Sequence, residues 1–170
     1  MQNANAIFKH SMIKYFTYSI SIAFISWIVG MIINAVLTKK AFYNKNLSNL
    51  SFIKNETLNK AIGLEIFKWI VKNTFFKFFN QKLTLKKKIE IIDLKNLRNE
   101  MTISEISHLI GFGFMGIFAL VKVFHANYLF ALVMMIVNIL MNLYPSLLQQ
   151  ENKRRIDKLI KRFLPTTNLN

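Results

Sequence analysis

Residues 15–37 read YFTYSISIAFISWIVGMIINAVL, a run without one charged side chain. An α-helix rises 1.5 Å per residue, so about 20 apolar residues cross the hydrocarbon core of a bilayer. Lys39 and Lys40 end the run, which therefore predicts a first membrane-spanning helix. A cleaved signal peptide, with Lys9 and Lys14 as its basic start, is the competing interpretation, but its apolar segment would be only about 7–15 residues long.

Two further apolar stretches follow, at residues 106–124 and 128–148. The first of them is short for a full span, but Lys122 near its end can extend its side chain towards the headgroups. This stretch also holds three glycines that would let another helix approach closely: Gly111, Gly113 and Gly116. The sequence therefore predicts an all-α integral membrane protein, a single domain over residues 1–170 with about three transmembrane helices.

Basic side chains are concentrated between and after the apolar stretches. The chain has 23 Lys and Arg against 8 Asp and Glu, and 14 of the 23 lie in residues 39–105. More follow in a basic amphipathic tail at residues 149–170. Cytoplasmic loops of membrane proteins carry an excess of Lys and Arg, so both regions are predicted to face the cytoplasm from a bacterial cytoplasmic membrane, with the N-terminus outside.

The basic region is predicted to contain one or two amphipathic helices at the membrane surface. In residues 58–79 the apolar positions, Trp69 among them, recur near one helical face with lysines interspersed, which is typical of a helix lying in the headgroup plane. A helix packed on its own protein is the alternative. A second short amphipathic helix is predicted within residues 83–101. Basic residues beside a bilayer bind anionic headgroups, and no nucleic-acid motif is present, so lipids and not nucleic acids are the expected partners.

Glu105 and His108 form the first candidate site. They are three residues apart and so share a helical face, and they lie where a membrane segment begins, where ionisable groups are costly and usually functional. A carboxylate that accepts a hydrogen bond from one imidazole nitrogen leaves the other nitrogen to act as a base. A pair that only orients the helix at the interface is the alternative. A metal site is not predicted, because a di-iron bundle needs two such pairs and further carboxylates.

A polar stripe forms the second candidate site: Asn138, Asn142, Pro145, Gln149, Asn152 and, one residue out of step, Arg155. Spacings of four, three, four and three residues put the stripe on one side of a helix. An Asn side chain in hydrocarbon is costly unless hydrogen-bonded, so the stripe should face the bundle interior or a wet cleft. Pro145 lacks an N–H and so frees the carbonyl of Met141. Hydrogen bonding between helices and a substrate cleft both stay open as explanations.

Several kinds of chemistry are excluded by what the sequence lacks. There is no cysteine, which excludes disulfides, thiolate metal sites and a cysteine nucleophile. There is no Gly-rich phosphate loop, no G-x-S-x-G elbow and no H-E-x-x-H motif. Soluble enzymes with these signatures are therefore poor comparisons.

The candidate residues resemble a bacterial family, the glycosyl-diaponeurosporenoate acyltransferases of carotenoid pigment synthesis, which are small basic membrane proteins. The resemblance covers residues 62–163 and is carried by three blocks: Phe67-Lys68-Trp69; Arg98 with Glu105-x-x-His108; and Asn142 with Pro145 and Gln149-x-x-Asn152-x-x-Arg155. The proline is shifted by one residue from the family pattern, and the loop before Arg98 also differs.

The resemblance implies transfer of a fatty acyl group to a sugar hydroxyl of a glycolipid or glycosylated carotenoid. His108 would be the base and Glu105 would orient it. The remaining candidates would bind substrate: Arg98, Asn142, Gln149, Asn152 and Arg155. The resemblance implies no cofactor, only an acyl donor such as acyl-CoA or an acyl carrier protein as co-substrate. Whether a second copy of the chain is a partner is left open. The alternative is a non-enzymatic accessory or assembly factor, in which these side chains would be dispersed or paired one by one.

Overall fold

The computed structural model describes residues 2–50, 52, 63–73 and 90–163. These residues are 91% helical and contain no strand, which confirms the all-α prediction. The α-helices are α1 (Gln2–Leu37), α2 (Leu64–Asn73), α3 (Ile91–Phe124), α4 (Tyr128–Asn138) and α5 (Tyr144–Phe163). Two π-helical turns, Tyr43–Leu47 and Ile139–Leu143, complete the described elements.

Three helical stretches are long and apolar enough to cross a membrane: Asn5–Leu37, Ile91–Phe124 and Tyr128–Arg162. The three apolar runs at residues 15–37, 106–124 and 128–148 lie inside them, and which turns lie in lipid stays a prediction. A separate short helix was predicted within residues 83–101. From Ile91 onwards this segment is instead the first part of α3, which continues unbroken to Phe124. Residues 83–89 lie outside the described part. Glu90 and Asp93 begin α3 with a reciprocal capping box.

The long helices run up, down and up. Near one end of α1 the Asn34 amide donates to the Ile103 carbonyl of α3, and near the other end Lys122 lies over the Tyr18 ring, so α1 and α3 are antiparallel. Bonds from Arg98 to Asp157 and from Asn138 to Phe112 make α3 antiparallel to α4 and α5. The end of α1, the start of α3 and the end of α5 therefore share one end of the bundle, where both basic regions join it.

The bundle has polar groups inside and apolar groups outside. Asn34, Asn138 and Asn142 are fully buried, whereas Ile32 and Leu120 are more than half exposed. In a water-soluble bundle this distribution would be reversed. Lipid accepts exposed aliphatic side chains, while buried amides need partners within the protein, so the distribution is that of a membrane bundle.

Helix α2 packs on α5 and leaves an apolar edge exposed. Leu64 and Phe67 pack against Leu147 and Leu148 of α5. Trp69, with Ile66 beside it, remains 64% exposed. The buried face of α2 agrees with the alternative prediction of a helix packed on its own protein. The exposed edge is compatible with the prediction of a helix at the membrane surface. Residues 58–62 and 74–79 of the predicted helix lie outside the described part.

Glycines set the closest approach of α1 and α3. A Cβ added to Gly30 would lie 2.2 Å from the Ser107 carbonyl oxygen, and one added to Gly111 would lie 3.0 Å from the Ser26 carbonyl oxygen. Gly113 and Gly116 face open space, with no atom within 4 Å of an added Cβ. The expectation that glycines permit close packing therefore holds at Gly111, and Gly30 is its counterpart in the first helix.

We expect Gly30→Ala to destabilise the bundle by about 2 kcal/mol or more, because the new methyl group meets backbone that cannot rotate away. The free energy of unfolding in mixed detergent micelles measures this loss. Gly113→Ala is the matched control and should leave stability unchanged or slightly raised, since alanine favours helix. Equal effects of the two substitutions would contradict the proposed helix contact.

Candidate active site

A π-helical turn and a proline break the regular backbone of the last long helix. Pro145 lacks an N–H, so the Met141 carbonyl loses its α-helical donor, as the sequence predicted. Trp27 Nε1 of α1 donates to this carbonyl at 3.1 Å. The π-helical turn Ile139–Leu143 lies directly before the proline. Such turns are often found at functional sites.

The π-helical turn changes which side chains of α5 face the interior. The sequence spacing placed Pro145, Gln149 and Asn152 on the inner face with Asn142, but all three are only partly buried. The fully or nearly fully buried residues each lie one position later: Ser146, Gln150 and Lys153. A π-helical turn holds one residue more than an α-helical turn, so it advances the inner face by one position. The predicted stripe is corrected accordingly beyond Asn142.

His108 lies between α1 and the π-helical turn. Its ring meets the Trp27 ring edge to face, with centroids 5.8 Å apart and an interplanar angle of 88°. The Asn142 side chain lies beside the imidazole. His108 Nδ1 and Asn142 Oδ1 are both buried without a well-formed hydrogen bond in the described part of the chain. The imidazole is therefore held by neighbours on two helices.

Asn142 also connects helices through its amide nitrogen. Asn142 Nδ2 donates to Ser26 Oγ at 3.1 Å and to Asn138 Oδ1 at 2.9 Å. Asn138 Nδ2 in turn donates to the Phe112 carbonyl at 3.0 Å. Hydrogen bonding between helices was one of the two explanations left open for these residues. It accounts for both polar atoms of the Asn138 side chain, but only for the amide nitrogen of Asn142.

Glu105 has partners other than the one expected. Its fully buried carboxylate forms an ion pair with Lys153, which is 3% exposed, and accepts a hydrogen bond from Gln150 Nε2 at 2.8 Å. Lys153 Nζ also donates to the Ser48 carbonyl. No hydrogen bond or ion pair joins Glu105 to His108 among the described residues, so the expected hydrogen-bonded pair is replaced by an ion pair between α3 and α5.

Arg98 lies far from His108 along α3, ten residues or about 15 Å away. Its guanidinium donates to Asp157 Oδ1 at 2.6 Å and to Asn49 Oδ1 at 3.2 Å. These bonds join the first loop, α3 and α5 at the basic end of the bundle. The resemblance put Arg98 in one block with His108, and the structure separates the two side chains along α3.

Asn152 and Arg155 line a separate cavity between α2 and α5. The cavity has a volume of about 360 Å³ and is lined by Glu65, Lys68, Trp69, Val71, Leu148, Asn152 and Arg155. Lys68 is almost fully buried and pairs with Glu65 and Glu151, and Arg155 donates to Glu151 at 2.6 Å. The charged side chains around the cavity are thus paired, and the apolar Trp69, Val71 and Leu148 share its lining. Gln149 lies half-buried on α5, one position outside the inner face.

Ser146, Gln150, Lys153 and Trp27 were not predicted from the sequence. Two sequence patterns could have identified some of them. Asn138, Asn142, Ser146 and Gln150 recur every four residues, a spacing as regular as the one that was chosen. The freed carbonyl of Met141 needed a donor, and the Trp27 indole of the first apolar run can supply one. No group of three His, Asp or Glu side chains suited to a metal occurs among the described residues.

A family model described as glycosyl-4,4'-diaponeurosporenoate acyltransferase matches residues 38–162. This chain belongs to that family. The match includes α2, α3 and α5, and with them every residue of the two candidate sites, while Trp27 and Ser26 precede it. No curated protein and no solved structure matches the chain.

We expect that removing one partner of the Glu105–Lys153 pair destabilises this acyltransferase-family protein by about 3–5 kcal/mol, because the other charge stays buried and unpaired. Lys153→Met and Glu105→Gln test this as single and double variants, read by the free energy of unfolding in detergent. The double variant should lose less than the sum of the singles. Asp157→Asn, at the more exposed Arg98 pair, is the control and should cost about 1 kcal/mol or less. Additive losses at Glu105 and Lys153 would show that the pair has no structural role.

Proposed function

We propose that this protein is a membrane acyltransferase that transfers a fatty acyl group to a sugar hydroxyl of a glycolipid or a glycosylated carotenoid. Membership in the acyltransferase family supports the reaction class. The observation that carries the assignment to a site is the imidazole of His108, fixed by Trp27 and Asn142 inside a helical bundle with no well-formed hydrogen bond at its buried Nδ1. A buried polar atom without a partner is costly, which favours a role in binding or chemistry.

In this proposal His108 is the general base that takes the proton of the attacking hydroxyl. Asn142 Oδ1 beside the ring would fix the tautomer, as an Asn or Asp does in other histidine-dependent acyl-transfer sites. Trp27 holds the ring against rotation and ties the π-helical turn to α1. Glu105, first assigned to orient His108, instead positions α5 through Lys153.

The cavity between α2 and α5 is proposed to hold the polar arm of the acyl donor. Asn152 and Arg155 lie 10 and 13 residues after Asn142, or about 15–20 Å along the helix. A sugar that reacts beside His108 does not reach that far, but the extended pantetheine arm of acyl-CoA or an acyl carrier protein does. Its amide and hydroxyl groups suit a lining in which Lys68 and Arg155 are paired with carboxylates.

Both substrates and their surroundings place the reaction at a membrane. The acceptor carries its own hydrocarbon, and the basic regions would bind anionic headgroups. We propose the bacterial cytoplasmic membrane, with the basic end of the bundle towards the cytoplasm where acyl donors are made. Gln149 and Arg98 are proposed to line the approach to the site from that side.

We expect His108→Ala to lower acyl transfer at least about 100-fold, the usual contribution of a general base. The measurement is transfer of labelled acyl chain to glycosylated diaponeurosporenoate in membranes that hold equal amounts of protein. His125→Ala, at the exposed turn between α3 and α4, is the matched control and should keep full activity. Wild-type transfer by the His108 variant would refute the assignment of the base.

We expect Asn152→Ala to raise the KM for the acyl donor about fivefold with kcat unchanged, because one hydrogen bond of about 1 kcal/mol is lost on binding. Steady-state kinetics with donor and acceptor varied in turn separate the two parameters. Asn96→Ala, on the exposed face of α3, is the control and should change neither. A rise in the acceptor's KM instead would assign the cavity to the sugar.

One observation favours the alternative of a non-enzymatic assembly factor. Glu105, Gln150 and Lys153 are bonded to one another, as expected of side chains that only join helices. An accessory protein would tolerate His108→Ala without any change in the reaction it supports, so the same assay distinguishes the two functions.

A further inference from the structure

Ser146 carries a buried hydroxyl that differs from the other buried serine and threonine hydroxyls of the described residues. Those each donate to a carbonyl three or four residues earlier in their own helix: Ser19 to Tyr15, Ser26 to Ala23, Thr102 to Arg98 and Ser107 to Ile103. This is the ordinary way in which a helix satisfies such a group. Ser146 is 0% exposed, and its Oγ has no hydrogen-bond partner among the described residues.

The position of Ser146 follows from the antiparallel register of α3 and α5. One turn before it on the inner face is Asn142, which lies beside His108. One turn after it is Gln150, which bonds Glu105. His108 and Glu105 are three residues apart on α3, so Ser146 lies along α5 at a level between them. The Ser146 hydroxyl and the His108 imidazole therefore belong to one stretch of the polar interior.

We infer that Ser146 is a catalytic nucleophile that carries the acyl group between donor and acceptor. This inference rests on the proposed acyltransferase function and adds a covalent acyl-enzyme to it. The residue types suit the step, because a serine hydroxyl is activated by an adjacent imidazole that a third group orients. Here the third group is the Asn142 amide. Hydrogen bonds of such sites are often long until substrate is bound.

The covalent step balances with an acyl thioester as donor. His108 takes the Ser146 proton while Oγ attacks the thioester carbonyl, the C–S bond breaks, and the thiol leaves with that proton. The sugar hydroxyl then gives its proton to His108 and attacks the Ser146 ester. The C–Oγ bond breaks, Ser146 regains the proton, and the acylated sugar leaves.

Access to Ser146 requires the bundle to open at this level, because the hydroxyl is fully covered. The backbone beside it is suited to such opening. Pro145 and the π-helical turn Ile139–Leu143 interrupt the regular hydrogen-bond ladder directly before Ser146. Trp27, whose indole bonds the Met141 carbonyl, is only partly buried and stands at this break.

The test is to trap the acyl-enzyme. Full-length protein in liposomes is given radiolabelled palmitoyl-CoA or palmitoyl-acyl carrier protein, whichever supports transfer in the same liposomes, without acceptor. The reaction is stopped with acid. The chain has no cysteine, so a label released by alkaline but not by neutral hydroxylamine is an oxygen ester, and peptide mass mapping locates it. We expect the label on Ser146, and its release as acylated glycolipid when acceptor is added.

Ser146→Ala should lose the label and lower overall transfer at least about 100-fold, with unfolding in detergent as a check on the fold. Ser19→Ala is the matched control, because it removes an equally buried helical hydroxyl that bonds only its own helix. Wild-type transfer without any labelled enzyme, or full transfer by Ser146→Ala, would overturn the acyl-enzyme and leave the proposed function standing. Absence of transfer by the wild type as well would overturn both.

Discussion

The structure depends on one constraint: a polar side chain in a hydrocarbon layer needs a partner inside the protein. Between helices in lipid there is no hydrophobic driving force, so packing and hydrogen bonds hold the bundle together. The Asn34 amide fixes α1 on α3, and the Glu105–Lys153 pair fixes α3 on α5. Close approach at Gly30 brings α1 against α3, where the Asn34 bond forms. The relative register of the long helices therefore follows from a few polar contacts.

The same constraint explains how far the sequence predicts the structure. Long uncharged runs identify the helices that can cross a membrane, and polar residues within them predict an interior face. For the last apolar stretch, the predicted interior side was correct as far as Asn142. Beyond it the π-helical turn advanced the inner face by one residue, which α-helical spacing does not anticipate. The partner of Glu105 was also unpredictable, since Lys153 lies 48 residues away in a tail that looked solvated.

Ion pairs lie towards the basic end of the polar seam, where Asn34 Oδ1 and Tyr43 Oη are nevertheless buried without a well-formed hydrogen bond in the described chain. Towards the basic end, Glu105 and Arg98 are bonded to α5. Around the π-helical turn, atoms of His108, Asn142 and Ser146 remain buried without bonds in the described chain. A complete network stabilises a fold, whereas an incomplete one costs stability and is retained where a ligand completes it. The ion pair with Lys153 indicates a structural role for Glu105, while the chemical role proposed for His108 depends on its position beside Trp27 and Asn142.

The predicted depth of His108 suits the proposed reaction between two lipid-like substrates. It lies 16 residues before the turn that follows Phe124, or about 24 Å along α3, in a hydrocarbon layer about 30 Å thick. With the Phe124 end of α3 at the far boundary of that layer, as the sequence predicts, the imidazole lies a short distance inside the basic end of the bundle. A sugar headgroup attached to a membrane lipid needs to move inward by only a few ångströms to reach it. The acyl carbonyl can meet the hydroxyl there while both hydrocarbon chains stay in lipid and water is excluded, which favours transfer to a sugar over hydrolysis.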